Sequence, residues 1–239
     1  MDSLEPLSGV SVLDVGCGVG GTTWQLGERV GRDGHVLGVD PSAPFLDGAR
    51  ERGRAEHVSF VLGDAATIEL DPVDAVFSRF GVMFFPDPTA AFSHLRSLVR
   101  TDGAMAFSCW QDPSTNPWMT VPVMASVPVL GPPKLPPPGQ PGPFALASAD
   151  TIRSVLDEAG WADVEVGDLS VERPYPAGGA RECAEVMSQL HPALASGIRE
   201  APERRPELLD AVTEVLRAYE RDGEVVFPAA AWIVHATNG

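Results

Sequence analysis

The chain has 239 residues, 44% of them apolar, enough core for one large α/β domain or two small ones. Its 17 Lys and Arg stand against 33 Asp and Glu, a formal charge of -16. A surface so negative repels phosphate backbones and anionic membranes, so neither nucleic acid nor membrane is expected as a partner. The three cysteines, Cys17, Cys109 and Cys183, are odd in number and far apart, which suggests neither a disulfide framework nor a metal cluster. With no signal peptide and no apolar run of membrane length, the chain reads as cytoplasmic.

Taken in chain order, "VSVLDVG" is a nearly continuous apolar run, the pattern of a strand covered on both faces. The stretch "GTTWQLGERV" predicts a helix with Trp24, Leu26 and Val30 inward, and "GHVLGVD" a second buried strand. In "SAPFLDGARER" a helix capped by Ser42 places Phe45, Leu46 and Ala49 on one face. "VSFVLGDA" is a third strand and "VDAVFSRFGVMFF" contains a fourth. Ala91, Leu95 and Leu98 in "DPTAAFSHLRSLV" have helical spacing, and "TDGAMAFSCW" reads as a turn and a fifth strand, with Gly103 supplying positive φ in the turn. This alternation predicts an open, mostly parallel sheet with helices on both faces.

The rhythm breaks at residues 111–146, a proline-rich stretch expected to be a loop within a single 1–239 domain. It resumes with the helix "SADTIRSVLDEAGW", stopped by Gly160, and the alternating strand "ADVEVGDLSVERPY". Two further helices, "GARECAEVMSQL" and "PELLDAVTEVLRAYERDG", fill a helical insert over 180–221, and "AAAWIVHAT" closes the chain as a strand.

Ligands of such sheets sit beyond the carboxyl ends of the strands. The loop after the first strand, "VLDVGCGVGG", carries four glycines, of which Gly16 and Gly18 permit a tight turn and close backbone approach. Gly16, Gly18 and Gly21 also satisfy the loose dinucleotide pattern, which keeps an NAD-dependent oxidoreductase open as an alternative. The acids discriminate further. Asp40, ending the second strand, suits a ribose diol; Asp64, after the third, suits an adenine amino group. Asp14 stands two residues before the first glycine, where a pyrophosphate gains nothing from an anion and an amine does. A ribose, an adenine and an amine-bearing cationic tail describe S-adenosylmethionine better than NAD.

With "VLDVGCGVGG", "VLGVDPSAPFLDGAR", "FVLGDA", "VDAVFSRFGVMFFPDPTAAFSHLRSLVRTDGAMAFSCW" and "LDEAGW" in this order, the chain resembles the class I S-adenosylmethionine-dependent methyltransferases of the small-molecule, ubiquinone/menaquinone methyltransferase-like group. The resemblance implies a Rossmann-like doubly wound sheet of seven strands, in the order 3-2-1-4-5-7-6 with an antiparallel final strand. It implies a cofactor site at Asp14, Gly16, Cys17, Gly18, Asp40, Pro41, Asp64, Ala65, Ser78 and Arg79. It also implies methyl transfer to a small organic acceptor, by a monomer or homodimer. A non-catalytic S-adenosylmethionine-binding or assembly protein is a further alternative. Members of the group carry a helical segment before the first strand; here nine residues precede Val10, so cover over the cofactor is expected from the helices at 180–221.

Two residues stand as catalytic candidates. Arg79 interrupts an apolar run at a strand's carboxyl end, placed to pair with a carboxylate of cofactor, substrate or protein, Asp64 included. His191, before a proline, is the best-placed histidine for a general base, against a purely structural role. No two histidines have metal-ligand spacing, so no metal is expected. The aromatics Phe80, Phe84, Phe85, Trp110 and Trp118 suit either an apolar acceptor pocket or core packing.

Overall fold

The structure, a computed structural model, describes Leu4 and residues 7–132, 140–175 and 177–239. These fall into two compact units. The described residues of Met1–Trp110, Gly139–Asp168 and Ala231–Gly239 form the first; those of Gln111–Pro138 and Leu169–Ala230 form the second.

The first unit is built on alternating strands and helices: β1 (Ser11–Val15), α1 (Gly21–Val30), β2 (His35–Asp40), α2 (Ala43–Glu51), β3 (Val58–Leu62), β4 (Val73–Arg79), α3 (Pro88–Leu98) and β5 (Val99–Trp110). After α4 (Pro117–Leu130) come α5 (Ala149–Glu158), β6 (Ala162–Pro174), α6 (Ala180–Leu190), α7 (Pro192–Glu200), α8 (Arg205–Leu216), β7 (Glu220–Arg221) and β8 (Glu224–Thr237). The sheet order is β3-β2-β1-β4-β5-β8-β6, with β7 paired to β8 off this path. β1 to β5 pair in parallel and β8 runs antiparallel to β5. The sheet is therefore the expected Rossmann-like one with flanking helices, but with eight strands among the described residues rather than seven. The additional strand is the two-residue β7, made by a tight hairpin in which Asp222 and Gly223 both have positive φ (51° and 83°). That is the backbone of the two-residue turns that match strand twist.

The core explains the helix positions. Leu13, Val76, Met105 and Val234 from the strands meet Phe92, Leu95, Ile152 and Leu156 from α3 and α5. Ser148 caps α5 by accepting from the N–H groups of Asp150 and Thr151, and Asp87 caps α3 by accepting from that of Ala90. Two local expectations change. Phe45 is exposed on α2, because Leu46 and Ala49 supply its buried face. In the turn before the long part of β5, the positive φ belongs to Asp102 (63°), while Gly103 is required for space: a Cβ there would stand 2.5 Å from Val99 Cγ1 and 2.6 Å from the Asp74 carbonyl oxygen.

The proline-rich stretch, expected as a loop, contains α4; residues 133–139 of it lie outside the described residues. α4 holds Pro122 and Pro128 in its interior, although each proline removes a helical donor. Burial outweighs that loss: Val129 joins Ala184, Met187, Leu194, Leu208, Val212 and Phe227 in the core of the second unit, with Trp118 and Leu130 against it. Asn116 anchors the start of α4 by exchanging two hydrogen bonds with the backbone of Ala230 (2.9 and 3.1 Å). The helices expected over 180–221 are present, three rather than two, because Pro192 starts α7 directly after α6. Among the described residues no helix is long and apolar enough to cross a membrane.

Phe92 is fully buried, edge-on to Phe85 (5.9 Å between centroids) and tilted against Phe107 (5.3 Å), and its carbonyl accepts from Trp161 Nε1 (3.0 Å). Phe92→Ala is expected to destabilise the protein by about 3–5 kcal/mol. The measurement is a drop in the urea midpoint with an unchanged slope; a loss below about 1 kcal/mol would mean the site collapses around the vacancy.

Candidate cofactor site

The site is assembled where β1 and β4, neighbours in the sheet, end side by side. Gly16 has φ 66°, and a Cβ there would stand 2.8 Å from the Cα of Gly81. A Cβ on Gly81 would in turn stand 2.6 Å from the Val15 carbonyl oxygen and 3.0 Å from the Gly16 Cα. The loops leaving β1 and β4 thus touch backbone to backbone. Ser78, fully buried, joins them: its Oγ donates to the Val15 carbonyl (2.8 Å) and accepts from the Gly81 N–H (3.2 Å).

Asp40 shapes the loop from the other side. Its Oδ2 accepts from the Gly18 N–H (2.8 Å) and its Oδ1 from the Ser42 N–H (2.9 Å), so one carboxylate fixes the glycine loop and the entry to α2. Ser42 itself makes no side-chain cap. Each carboxylate oxygen has a second lone pair, which leaves acceptor capacity for a ribose diol. Pro41 is exposed beside it. Gly18 has φ 55°, with nothing within 4 Å of where its Cβ would be.

Cys17 is buried, and its Sγ would lie 2.9 Å from a Cβ on Gly38. Burial, followed by the charges of Asp14 and Asp40, pushes its thiol up to about 12, which keeps it protonated and unsuited to nucleophilic attack. The cysteine fills space under the loop. Its N–H and that of Gly16 donate to the Val39 carbonyl, continuing the β1–β2 pairing into the turn.

Asp14 is the unusual group. It is fully buried; its Oδ2 accepts from the hydroxyls of Thr22 (2.8 Å) and Thr23 (2.7 Å), and its Oδ1 has no hydrogen-bond partner. Desolvation raises its pKa to about 6 against the two threonines and the nearby charge of Arg79, which lower it, while Asp40 adds to the rise. Thr22 and Thr23 were not singled out in the sequence. Their signal is the pair of hydroxyls in the first turn of the helix that follows an acid-glycine loop. That helix starts from Gly20, in the left-handed conformation with no side-chain cap. Arg79 is exposed at the end of β4, with Nη2 3.6 Å from the Cβ position of Gly21, at the same helix start. Its charge acts on the buried Asp14, one of the local acids at this strand end.

Asp64 is exposed two residues past β3. Its Oδ1 accepts from the Ala66 N–H (2.9 Å), a local turn that leaves Ala65 buried behind it. His191 lies in the second unit, at the cap of α7. Its Nε2 donates to the Met119 carbonyl (3.1 Å), its Nδ1 is buried without a partner, and burial pushes the imidazole below its usual range. The ring is neutral at pH 7 and ties α7 to α4. A cavity of about 560 Å³ also exists in the first unit, but it is lined by Trp24, Arg54 and Phe60 and contains none of the candidate site residues. Among the described residues no cluster could hold a metal ion.

Asp14 generates a pH test. Between the ordinary carboxylate value of 3.8 and about 6, the folded protein holds a proton that the unfolded chain has released. Stability therefore falls as pH rises through that window, by on the order of 3 kcal/mol, and levels off above it. Asp14→Asn keeps an acceptor for both threonines and removes the buried charge. Urea unfolding from pH 4 to 7 should find the variant more stable than the wild type at pH 7, with their difference vanishing near pH 4. A difference independent of pH would mean that Asp14 is not the titrating group.

A methyltransferase domain family matches residues 12–103, the stretch from β1 into β5 that holds the glycine loop and all three acids. An arsenite methyltransferase of Halobacterium salinarum is 30% identical over 66% of this chain and 39% of its own length. A nocamycin O-methyltransferase of Saccharothrix syringae is 35% identical over 45% of this chain and 40% of its own. The chain thus spans well under two thirds of the length of these relatives. An S-adenosylmethionine-dependent methyltransferase structure from Mesorhizobium loti shares the fold, with TM-score 0.53 at 17% identity over 99% of this chain and 94% of that one. Residues 12–103 are thus similar to a methyltransferase domain, and the chain shares the fold of a solved S-adenosylmethionine-dependent methyltransferase.

Proposed function

We propose that the protein transfers a methyl group from S-adenosylmethionine to a small organic acceptor with an apolar body. The observation that carries this reading is Asp14, a fully buried carboxylate with one oxygen unpartnered beside an uncapped helix start. An ammonium group satisfies that oxygen; a pyrophosphate would meet its charge, which disfavours the dinucleotide reading. Arg79 and the N–H groups at the start of α1 offer a complementary place for a carboxylate. In this assignment Asp14 and Arg79 hold the two ends of an amino-acid tail, and Gly16, Cys17 and Gly18 give close backbone approach. Asp40 with Pro41 takes the ribose, Asp64 and Ala65 border the adenine, and Ser78 sets the distance between the two loops.

Bound there, S-adenosylmethionine supplies an activated methyl group on a sulfonium. The chain's own task is alignment and exclusion of water. No residue of this assignment is asked to abstract a proton. Arg79 acts as an anchor, and His191 is engaged with Met119 in its own unit, so an acceptor that ionises readily suits the site better than one needing a strong base. The names of the two curated enzymes, which carry arsenite and nocamycin, favour an acceptor of small size.

Calorimetry with S-adenosylhomocysteine and with NAD separates the readings, since saturable binding of NAD alone would remove the methyl-transfer assignment. Asp40→Ala is expected to weaken S-adenosylhomocysteine binding by roughly tenfold to a hundredfold, the worth of a charged hydrogen-bond acceptor. Because Gly18 and Ser42 also lose their acceptor, the variant should unfold at lower urea, by on the order of 1–3 kcal/mol. Undiminished affinity in the folded variant would take Asp40 out of the site.

A further inference from the structure

The cavity of about 560 Å³ in the first unit contains no residue of the cofactor assignment. It opens between α1, the end of α2 and the start of β3, with Trp24, Gly53, Arg54, Glu56 and Phe60 on its wall. Its volume is that of a site for a small organic molecule. The two rings meet at a tilt, centroids 5.8 Å apart, and both are half-buried. Both are also fixed in place. Trp24 Nε1 donates to the Ala49 carbonyl (3.0 Å), which holds the indole against α2. The Phe60 ring is packed on glycines behind it: a Cβ on Gly20 would stand 3.0 Å from it and one on Gly38 2.8 Å.

Gly53 keeps the space open. The three atoms nearest to a Cβ there would all belong to the Trp24 ring, at 3.5 to 3.6 Å, which is ordinary contact, and its φ is not positive. Neither backbone geometry nor crowding therefore calls for glycine. A longer side chain would point at the indole and take up cavity space.

Two charged groups on the wall are available. Arg54 and Glu56 are exposed and have no hydrogen-bond or ion-pair partner among the described residues. Arg50, on the same wall, is already engaged: Nη1 donates to Asp47 Oδ1 (3.3 Å) and Nη2 to the Phe60 carbonyl (3.2 Å). The guanidinium of Arg54 offers a carboxylate a planar fork of N–H donors, and the rings offer apolar area to the body that carries it. Glu56 sets a limit, since a second negative group on the ligand would meet its like charge. The distant acids of the chain are screened beyond about 8 Å at physiological salt, so these wall groups decide the sign of charge that the cavity accepts.

We propose that this cavity is a binding site for a small organic monocarboxylate with an apolar, ring-containing body. Arg54 takes the carboxylate, Trp24 and Phe60 cover the body, and Glu56 selects against dianions. The site goes beyond the methyl-transfer reading and does not rest on it.

The test uses 2-naphthoate and its neutral amide, 2-naphthamide, titrated by calorimetry into the full chain, alone and with saturating S-adenosylhomocysteine. The wild type is expected to bind 2-naphthoate saturably and roughly fivefold more tightly than the amide, the worth of one exposed ion pair. Arg54→Gln should reduce that preference to below about twofold, and Glu56→Gln should tighten 2-naphthoate by about twofold or more. Gly53→Leu should fill the cavity and remove the binding of both probes. Arg54 and Glu56 are exposed, so their variants supply folded proteins if Gly53→Leu fails to fold; far-ultraviolet circular dichroism checks each. No saturable binding of 2-naphthoate, equal affinity for the two probes, an unchanged preference in Arg54→Gln, no tightening in Glu56→Gln, or undiminished binding in folded Gly53→Leu overturns the proposal. Displacement of 2-naphthoate by S-adenosylhomocysteine also overturns it, because the probe would then occupy the cofactor site. Failure of S-adenosylhomocysteine to bind counts against the methyl-transfer reading alone and leaves the probe preference measurable.

Discussion

The contact between the backbones of Gly16 and Gly81 constrains everything around the site. Two parallel strands, β1 and β4, end together, and the chain leaves them toward different helices. Each departing loop must clear the other, and neither position has room for a Cβ. With that contact made, Ser78 can bridge the loops, α1 begins directly over the end of β1, and the guanidinium of Arg79 reaches the same helix start. The positive φ of Phe80 (64°) belongs to the same geometry, since the chain must turn sharply between Arg79 at the ladder and Gly81 at the contact. A single methyl group added at Gly16 would push apart the groups that define the crevice.

The electrostatics of the site are arranged against stability. A carboxylate buried as Asp14 is loses solvation that two threonine hydroxyls only partly replace, and its second oxygen has no partner. An asparagine would accept the same two hydrogen bonds without the charge. Retaining an acid there makes sense for a group that must meet a cation, with Arg79 near enough to offset part of its charge. Asp40 is treated differently: both of its oxygens hold backbone N–H groups, so its charge organises the loop whether or not a ribose is present.

Much of this was legible in the sequence because it depends on local rules. Apolar runs ending in acid and glycine located the parallel strands, and the acids Asp14, Asp40 and Asp64 marked three neighbouring strand ends. What sequence reading missed is set by neighbours distant along the chain. Gly81 is required because Val15, Ser78 and Gly16 pack on it, and Gly38 because Phe60 and Cys17 do. Thr22 and Thr23 gain their role from an acid on another element. α4 contradicts its own composition, since interior prolines read locally as loop; the apolar surface of α6, α7 and α8 overrides them. Asp102 took the positive φ expected of Gly103, because the glycine was needed for clearance against Val99 and Asp74.

The overall charge of -16 has a bearing on this site that the fold does not. On the proposed reading the cofactor arrives with a sulfonium, an ammonium and a carboxylate, one net positive charge, and leaves as a thioether with none. A strongly negative protein attracts the first more than the second. Screening confines the effect of distant surface charges to about 8 Å at physiological salt, so the acids that matter are those at the strand ends. Asp14 and Asp40 are close enough that the charge of Asp40 adds to the rise at Asp14, and both add to the rise that burial causes at Cys17. The same acids that draw in a cation therefore bind the neutralised product less strongly. They repel an acceptor that arrives with its own negative charge.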